Sequence, residues 1–539
     1  MMIKIRKYAF SALLAVILMT SMFVAVACQH AIRPVSTRGS VQSLSANDRE
    51  YSGALGHVVS SKNYQSRVHY IPSDAWVGDP HPVYFNGKWH VYYLELPYST
   101  NDRNSLQGLR QGLITSNDLI NWTKEEVSIN NGKMWFAISN TIYNGEIYSI
   151  CGAMDENIYL TGGLGLSTSG DGKEFRWDGV VYSTTQFICD HPKDTAVFYD
   201  EQEQLYYLIY SGYGGKEVNP NSQGAMYYST TKDFTRFSDS QPLYDLGNAR
   251  LPECPEMFEL GGKYYLSVNY GMYRTGTARY FVADSPTGPF KKTQINTFSS
   301  FGLVTPNSYK DDSGKLVTFG WVNHFVNKQD GNGFLWGGNL GLPRELYQSS
   351  DGETLYARPA FDSALIRDGK LYGNGLSLNY IKGDGWSFNE QGDLYYGQDA
   401  SYGEVWLDAE SEYFDMEFTL RLGEDNTGAG VVLKAGNGDY FDGYEIFIDP
   451  VTNRLILRNH LVKEEELTYV PIEVERNKDL NIRVILDGDI LEVFYDNRFT
   501  LTERVYRTTT NNYIGLFSDY GSAAFEDIEI YELANVLGR

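Results

Sequence analysis

Aromatic and β-branched residues recur in a fixed order along the first two thirds of the chain. A run of such residues, a turn rich in glycine or acids and a second aromatic run occur five times, at 83–93, 141–152, 196–212, 257–270 and 307–322. A looser strand-like run follows each copy, at 112–122, 165–177, 225–237, 278–290 and 338–347. Repeated units of roughly 50–60 residues with about four strands each are typical of β-propellers. The pattern therefore predicts a five-bladed β-propeller over residues 66–350.

The periodicity changes beyond about residue 373. Short runs that alternate apolar and polar residues, such as EVWLDAE (404–410) and YFDMEFTLRL (413–422), are separated by turn residues. Regular short strands of this kind are typical of a β-sandwich. We therefore expect an all-β protein with a linker at 351–370 and a C-terminal β-sandwich at 371–539.

The N-terminus has the pattern of an export signal. Three basic residues within the first seven precede an apolar stretch that ends in Ala25-Val26-Ala27-Cys28. Small residues directly before a cysteine resemble a bacterial lipoprotein signal, in which the cysteine is lipidated. The sequence thus predicts a signal at 1–28, a lipid on Cys28 and a flexible tether at 29–65, which would anchor an exported protein at the periplasmic face or the cell surface. The alternatives are an ordinary signal peptide with a chance cysteine, or a membrane anchor.

Charge and composition narrow the function classes. With 68 acidic and 45 basic residues the formal net charge is −23, which argues against nucleic acid and polyanionic substrates and fits a neutral substrate. The eight histidines and the cysteines beyond Cys28 show no spacing typical of metal ligands, so we predict no metal and no cofactor.

Three acidic residues stand just ahead of the first strand in repeats one, three and four: Asp79, Asp194 and Glu253. The first strand of every propeller blade lines the central axis, and all first strands run in the same direction. The N-terminal ends of these strands therefore meet at one mouth of the tunnel. We expect the three acids to converge there.

Converging carboxyl groups suit the hydrolysis of a glycosidic bond. That reaction needs one ionised and one protonated carboxyl group beside the bond, and neighbouring negative charge and burial raise the pKa of the protonated one. The alternative is that each acid is a hairpin-turn residue, as Asp118 and Asp171 are expected to be. The three acids differ because they precede an inner strand.

Aromatic residues near the same segments could stack on sugar faces. Trp76, Trp135, Phe136 and Trp321 lie in or near segments that lead to inner strands or turns. Packing in the core is the alternative for each, and it applies least to Trp76 and Trp135. Most other aromatic residues are expected to pack between blades.

These motifs resemble glycoside hydrolase family 32, the fructan and sucrose hydrolases, over about residues 66–535. The resemblance is carried by the segments WVGDP (76–80), PKDTAVF (192–198), PECPEMF (252–258), PREL (343–346), ARP (357–359) and DGDILEVFYDN (487–497). It implies a five-bladed propeller with a β-sandwich. It also implies that Asp79 is the nucleophile, Asp194 stabilises the transition state and Glu253 is the acid/base.

The chain departs from the family pattern around the sugar. Gly78 replaces an asparagine, His81-Pro82 replaces Asn-Gly, and Lys193 replaces an arginine that would bind substrate. The resemblance therefore implies retained catalytic machinery in an altered pocket. It favours a retaining hydrolase of a neutral furanoside, a fructan or fructo-oligosaccharide.

Two other functions fit the same blade order. Glycoside hydrolase family 43 also places Asp, Asp and Glu on blades one, three and four, but acts on arabinofuranosides and xylosides with inversion. Its carboxyl groups lie about 6.5–9.5 Å apart, against about 5–5.5 Å in a retaining enzyme. A non-catalytic propeller that binds surface glycans is the other alternative.

Overall fold

The computed structural model describes residues 64–538, except 104–107, 130–133, 154–162, 214–223, 248–251, 271–277, 374, 376, 398–400, 436–442, 461–464 and 508–510. The predicted signal, Cys28 and nearly all of the predicted tether lie outside the described residues. Strands dominate the described part, whose helices are the 3-10 turns Thr184–Gln186, Val326–Lys328 and Ser363–Leu365. None of the described helices has the length and hydropathy needed to cross a membrane.

Antiparallel strands form five consecutive blades. Blade 1 contains β1 (Ala75–Phe85), β2 (Lys88–Pro97), β3 (Arg110–Ser116) and β4 (Thr123–Glu125). Blade 2 contains β5 (Met134–Tyr143), β6 (Glu146–Ala153), β7 (Leu164–Ser169) and β8 (Arg176–Tyr182). Blade 3 contains β9 (Asp190–Asp200), β10 (Leu205–Tyr213), β11 (Ala225–Thr231) and β12 (Gln241–Asp245).

Blades 4 and 5 differ slightly from this scheme. Blade 4 contains β13 (Pro252–Leu260), β14 (Lys263–Tyr270) and β15 (Ala278–Ala283), with a single bridge from Val282 to Lys291 in place of a full outer strand. Blade 5 contains β16 (Val304–Lys310), β17 (Leu316–Phe325), β18 (Phe334–Leu340), β19 (Arg344–Gln348) and β20 (Leu355–Pro359).

The first strands of the blades close a ring. β1 packs against β5, β5 against β9, β9 against β13, β13 against β16, and β16 against β1. One pair of residues, Val77 on β1 and Gly338 on β18, also joins blade 1 to blade 5. This closure confirms the predicted five-bladed propeller.

Short hairpins turn each inner strand back into its blade. Asn86-Gly87 and Asn144-Gly145 connect the inner and second strands of blades 1 and 2, with positive φ at both residues of each pair. Two consecutive residues with positive φ make the type I′ turn, whose twist matches that of a hairpin. The local sequence therefore sets the register of these hairpins.

The C-terminal domain is a sandwich of two antiparallel sheets. Its strands are β21 (Arg367–Tyr372), β22 (Leu378–Lys382), β23 (Trp386–Phe388), β24 (Leu394–Tyr396), β25 (Gly403–Glu410), β26 (Tyr413–Leu422), β27 (Gly428–Ala435), β28 (Tyr444–Asp449), β29 (Arg454–Asn459), β30 (Glu466–Pro471), β31 (Leu480–Asp487), β32 (Ile490–Tyr495), β33 (Phe499–Arg504), β34 (Tyr513–Tyr520) and β35 (Ala523–Leu533).

One sheet has the order β23-β24-β35-β26-β31-β32-β33, with β21 on β35, and the other has the order β22-β25-β34-β27-β28-β29-β30. Buried aliphatic and aromatic residues fill the space between the two sheets. The segment 351–370, expected as a linker, includes β20, which pairs with the propeller strand β19, and the start of β21, which pairs with the sandwich strand β35.

Buried charges join the two domains. Arg344 of blade 5 pairs with Glu492 of the sandwich at 3.1 Å, and both side chains are fully buried. Arg504 of the sandwich donates to the carbonyl oxygens of Val322 and Asn323 in blade 5. These contacts fix the sandwich against blade 5, next to the strands that close the propeller.

The segment that enters blade 1 is held by a buried histidine. His69 Nδ1 lies 2.8 Å from Asp487 Oδ2, and His69 Nε2 lies 3.5 Å from Glu492 Oε1. Burial alone would lower the pKa of His69, but the hydrogen bonds and charges of Asp487 and Glu492 outweigh it and raise the pKa from 6.5 to about 9. His69 is therefore a charged residue at neutral pH.

We expect His69→Gln to lower the free energy of unfolding by about 3 kcal/mol at pH 6, because two buried carboxylates lose a charged partner. Because folding raises the pKa of His69, its charged form stabilises the folded protein fully below pH 6.5. This contribution is lost as the pH rises through about 9. Urea unfolding of parent and variant at pH 6 and pH 10 measures the difference. An equal difference at both pH values would contradict the assignment of a charged His69.

Candidate active site

Each inner strand is interrupted at the same level, near its N-terminal end. The pairing register shifts between Gly78 and Pro80 in blade 1 and across Asp194 in blade 3. It also shifts between Glu253 and Glu256 in blade 4, and between Val304 and Asn307 in blade 5. An extra residue in a bulge leaves the ladder and its side chain is re-aimed. The bulges turn side chains of several blades toward the same mouth of the tunnel.

Proline explains three of these bulges. Pro80, Pro255 and Pro306 lie within the interrupted stretches of blades 1, 4 and 5. Proline has no N–H to donate, so a strand ladder cannot continue through it unchanged. The local sequence therefore determines the positions of these three bulges.

Strained backbone accompanies the bulges. Asp194 and Cys254 have φ of 44°, and Thr305 has φ of 41°. A non-glycine residue in this left-handed region costs about 1–3 kcal/mol and persists only where its surroundings fix it. Such strain is concentrated at functional sites, and here it falls on equivalent positions of three blades.

Asp79 is held by blade 5. Its Oδ1 accepts a hydrogen bond from Thr305 Oγ1 at 2.6 Å and from Trp321 Nε1 at 3.0 Å. Burial raises the pKa of Asp79, the two hydrogen bonds lower it, and the charge of Asp194 raises it, with a net increase above the usual range. The two donors fix the orientation of the carboxylate.

The other two acids lie around Asp79. Asp194 is close enough for its charge to act on Asp79. Asp194 Oδ2 accepts the backbone N–H of Cys254 at 3.2 Å, and Cys254 directly follows Glu253 on the inner strand of blade 4. Asp79, Asp194 and Glu253 are all half-buried. The structure therefore brings Asp79 and Asp194 together and ties Asp194 to the backbone beside Glu253.

The ring of Trp321 is buried, whereas a sugar-stacking ring would be exposed. Its side chain is 1% exposed and packs against Phe334 and Trp336. The expectation that its ring face is available to a sugar is wrong, because neighbouring aromatic residues cover it. Its indole N–H instead holds Asp79.

Trp76 lies half-buried on β1, two strand positions before Gly78 and three before Asp79. The guanidinium of Arg103 stacks on the Trp76 ring at 4.1 Å, and Tyr98 packs against it edge-on. Arg103 also donates to the carbonyl oxygen of Trp336 at 2.9 Å. A side chain at Gly78 would overlap the Trp336 indole, so this indole packs directly on the backbone of Gly78, the residue before Asp79.

Trp135, Phe136 and Lys193 are described only through their backbone. Trp135 and Phe136 lie at the N-terminal end of β5, where blade 2 has its own register shift. Lys193 directly precedes Asp194 on β9 and pairs with Ser211. Their strand positions are at the same mouth as the acids.

Sequence reasoning missed two residues. Thr305 donates to Asp79 and belongs to blade 5, which carries no acid at this level. The pair Thr305-Pro306 stands at the start of its inner strand, as Asp79-Pro80 does in blade 1, and this likeness could have indicated a site residue. Asn269 pairs with Glu253 across the strands of blade 4 and is 2% exposed, and both its amide oxygen and its amide nitrogen lack a hydrogen-bond partner. A buried amide without partners is costly, so Asn269 suits a sugar hydroxyl.

The arrangement supplies carboxyl groups and neutral donors. In the part of the chain that the structure describes, no group of three or more His, Cys, Asp or Glu residues could hold a metal ion. The carboxyl groups can attack, donate a proton or accept a proton, which suits the transfer of a glycosyl group.

Comparison with known families extends over both domains. The family model described as "Glycosyl hydrolases family 32 N-terminal domain" matches residues 69–359, and the model described as "Glycosyl hydrolases family 32 C terminal" matches residues 392–532. The first of these alone covers more than half of the chain. The matches decide for family 32 over family 43.

Curated relatives align along nearly their whole length. Sucrose-6-phosphate hydrolase of Escherichia coli is 21% identical over 505 residues, covering 88% of this chain and 96% of that protein. Raffinose invertase of Escherichia coli is 23% identical over 501 residues, covering 86% of this chain and 94% of that protein.

Solved structures share the fold. The β-fructofuranosidase of Bombyx mori superposes with a TM-score of 0.63 at 19% identity, covering 90% of this chain and 98% of its own. The exo-inulinase of Aspergillus awamori superposes with a TM-score of 0.65 at 14% identity, covering 89% of this chain and 100% of its own. These likenesses confirm the propeller followed by a β-sandwich.

Proposed function

The chain belongs to glycosyl hydrolase family 32, and from this premise we propose that it is a retaining β-fructofuranosidase that cleaves fructans or fructo-oligosaccharides. The relatives named above as hydrolase and invertase, and solved neighbours such as the exo-inulinase, support this substrate class. The observation that carries the proposal is Asp79 oriented by two donors, with Asp194 beside it and Glu253 next to the residue that binds Asp194.

Asp79 attacks the anomeric carbon of the fructosyl unit in this mechanism. Thr305 and Trp321 both bind Oδ1, so we assign the attack to Oδ2. The bond from the anomeric carbon to the leaving oxygen breaks as the bond to Asp79 forms. The product of this step is a covalent fructosyl–enzyme ester.

Glu253 acts twice. It first donates its proton to the leaving oxygen, which departs as a sugar hydroxyl. It then takes a proton from a water molecule, which attacks the anomeric carbon and releases Asp79 as a carboxylate. The unpartnered amide of Asn269 lies across the strand pair from Glu253 and can bind a hydroxyl of the sugar there.

Asp194 accepts hydrogen bonds from fructosyl hydroxyl groups and stabilises the positive charge that develops at the ring. Its backbone strain and its bond from Cys254 fix it for this role. Its charge also raises the pKa of Asp79.

The pH dependence of a variant at position 305 tests the assignment of Asp79 as the nucleophile. A hydrogen bond to an ionised carboxylate favours ionisation, so Thr305→Val should raise the pKa of Asp79 further. Asp79 attacks only when ionised, so the acidic limb of kcat/KM should move to higher pH. Thr305→Ser keeps the hydroxyl, so the acidic limb of its kcat/KM profile should lie at the same pH as that of the parent. A Thr305→Val profile that matches the parent would refute the role of this hydrogen bond.

The function itself is tested by sugar release from levan, inulin, sucrose, sucrose 6-phosphate, arabinan and arabinoxylan, with Glu253→Gln as control. We expect fructose or fructo-oligosaccharides from the neutral fructosides, released by the parent alone. Arabinose or xylose would contradict the substrate class. Binding of these glycans without release would favour the non-catalytic, glycan-binding alternative.

We further propose that the protein is exported and anchored through a lipid on Cys28, which the small residues directly before it support. Cys28→Ala should move the protein from the membrane fraction to the soluble fraction after expression in a bacterium with lipoprotein processing. Metabolic labelling with a palmitate analogue reports the lipid directly. Labelling of both forms alike would contradict the anchor.

A further inference from the structure

The propeller has a cavity at the mouth opposite Asp79. It has a volume of about 700 Å³, and the C-terminal ends of all five inner strands line it. Tyr84 lines this cavity and follows Asp79 by five residues on the same strand, so the two mouths are roughly 15 Å apart. The cavity has the size of a small-ligand site.

A tyrosine closes the base of this cavity. Tyr309 belongs to the inner strand of blade 5, and its hydroxyl lies close enough to Thr141 and to the backbone of Ile142 in blade 2 for both groups to lower its pKa, which burial raises. Blade 1 lies between blades 5 and 2 in the ring, so the Tyr309 side chain crosses the axis. Tyr206 of blade 3 also donates to the carbonyl oxygen of Ile142, at 3.0 Å. The lining at this end of the cavity therefore includes the polar side chains of Tyr309 and Thr141.

Aromatic rings form much of the wall and rim. Tyr84, Phe198, Tyr199 and Phe258 line the cavity. Tyr199 is 39% exposed, and its ring packs on Tyr206 at a centroid distance of 4.6 Å. A partly exposed ring that packs on a neighbouring ring suits the apolar face of a sugar.

Carboxylates are the most numerous charged groups of the cavity. Its acidic residues are Asp200, Glu201, Glu259, Asp311 and Asp312. Lys310 also lines it, but pairs with Glu259 at 3.1 Å. Excess negative charge disfavours a phosphorylated ligand, whereas carboxylates accept strong hydrogen bonds from hydroxyl groups. The described residues contain no grouping of three such side chains that could hold a metal ion.

Asp200, Glu259 and Asp311 already accept hydrogen bonds from neighbouring residues, whereas Glu201 and Asp312 are exposed. We propose that this cavity is a second saccharide site, which binds a neutral oligosaccharide through Tyr199, Glu201 and Asp312. The choice of a fructo-oligosaccharide as its ligand rests on the proposed function. Two sites on one chain would hold a long polymer more firmly than a short sugar, because the second binding event becomes intramolecular.

The test is calorimetric titration of the full chain with the tetrasaccharide nystose, in the Glu253→Gln background so that no sugar is consumed. We expect two sites per chain. Adding Tyr199→Ala should weaken one site about tenfold and leave the other unchanged. Tyr520→Ala is the matched control, because Tyr520 is 41% exposed on the sandwich and should change neither site.

Kinetics give a second readout in the otherwise unaltered enzyme. Tyr199→Ala should raise KM for long fructan several-fold and leave KM for sucrose and kcat for both unchanged. A titration that is insensitive to Tyr199 would overturn the proposal. Binding of spermidine but not nystose at the Tyr199 site would also overturn it, in favour of a site for organic cations.

The two hypotheses fail separately. If no fructoside is hydrolysed but nystose still binds in a Tyr199-dependent way, the proposed function is wrong and the second site stands. If fructosides are hydrolysed and the only nystose site is insensitive to Tyr199, the proposed function stands and the second site is wrong.

Discussion

Asp79→Asn is expected to lower kcat/KM on a fructan by about 10⁴-fold, the largest loss of any single substitution in this chain. Asparagine keeps the size of the side chain and an oxygen that can accept from Thr305 and Trp321. It removes the negative charge and the nucleophile, so no covalent intermediate forms. The loss should appear in kcat, since sugar contacts made by other residues remain.

Initial-rate kinetics of purified parent and variant measure this loss, with the urea midpoint as a check on folding. Asp171→Asn is the matched control, because Asp171 caps a hairpin turn of blade 2 by accepting the amides of Lys173 and Glu174. Asparagine can make the same turn, so full activity is expected. An Asp79→Asn enzyme with more than about a tenth of the parent activity would refute the nucleophile assignment.

Glu253→Gln is expected to lower kcat on a fructan by about 10³-fold, because the leaving sugar hydroxyl is expelled without a proton. A substrate with an activated leaving group, such as p-nitrophenyl β-fructofuranoside, needs no proton in the first step. The loss on that substrate should therefore fall on the second step, where water must be deprotonated. Azide needs no deprotonation, so added azide should restore turnover and yield fructosyl azide.

Glu256→Gln is the control on the same strand. Burial raises the pKa of Glu256 to about 8, so at neutral pH this side chain is mainly neutral. Its carboxyl group binds the backbone N–H and the hydroxyl of Ser308, contacts that glutamine can reproduce. Near-parent activity is expected. Equal losses in the Glu253 and Glu256 variants, or no azide product, would refute the acid/base role of Glu253.

Much of the fold was predictable because its signals are local. Each blade is one stretch of chain with its own aromatic runs and turns, and pairs such as Asn86-Gly87 specify the hairpin from two adjacent residues. Each acid was expected just before an inner strand, from its place ahead of an aromatic run; the inner strands in fact begin earlier and include Asp79, Asp194 and Glu253 near their N-terminal ends. The extent of the linker was less predictable, because β20 and β21 become strands only by pairing with distant partners.

The sequence by itself determined the repeat, the all-β class and the succession of a propeller and a β-sandwich. The tertiary structure alone decided how each carboxylate is held. Thr305 and Trp321 bind Asp79 from 226 and 242 positions away, and they do so because ring closure brings blade 5 back against blade 1. Trp321 looked like any aromatic residue near an inner strand; only its burial under Phe334 and Trp336 made it a donor to Asp79 rather than a sugar platform. Contacts across the closing seam depend on which blades meet, and no local pattern of residues encodes them.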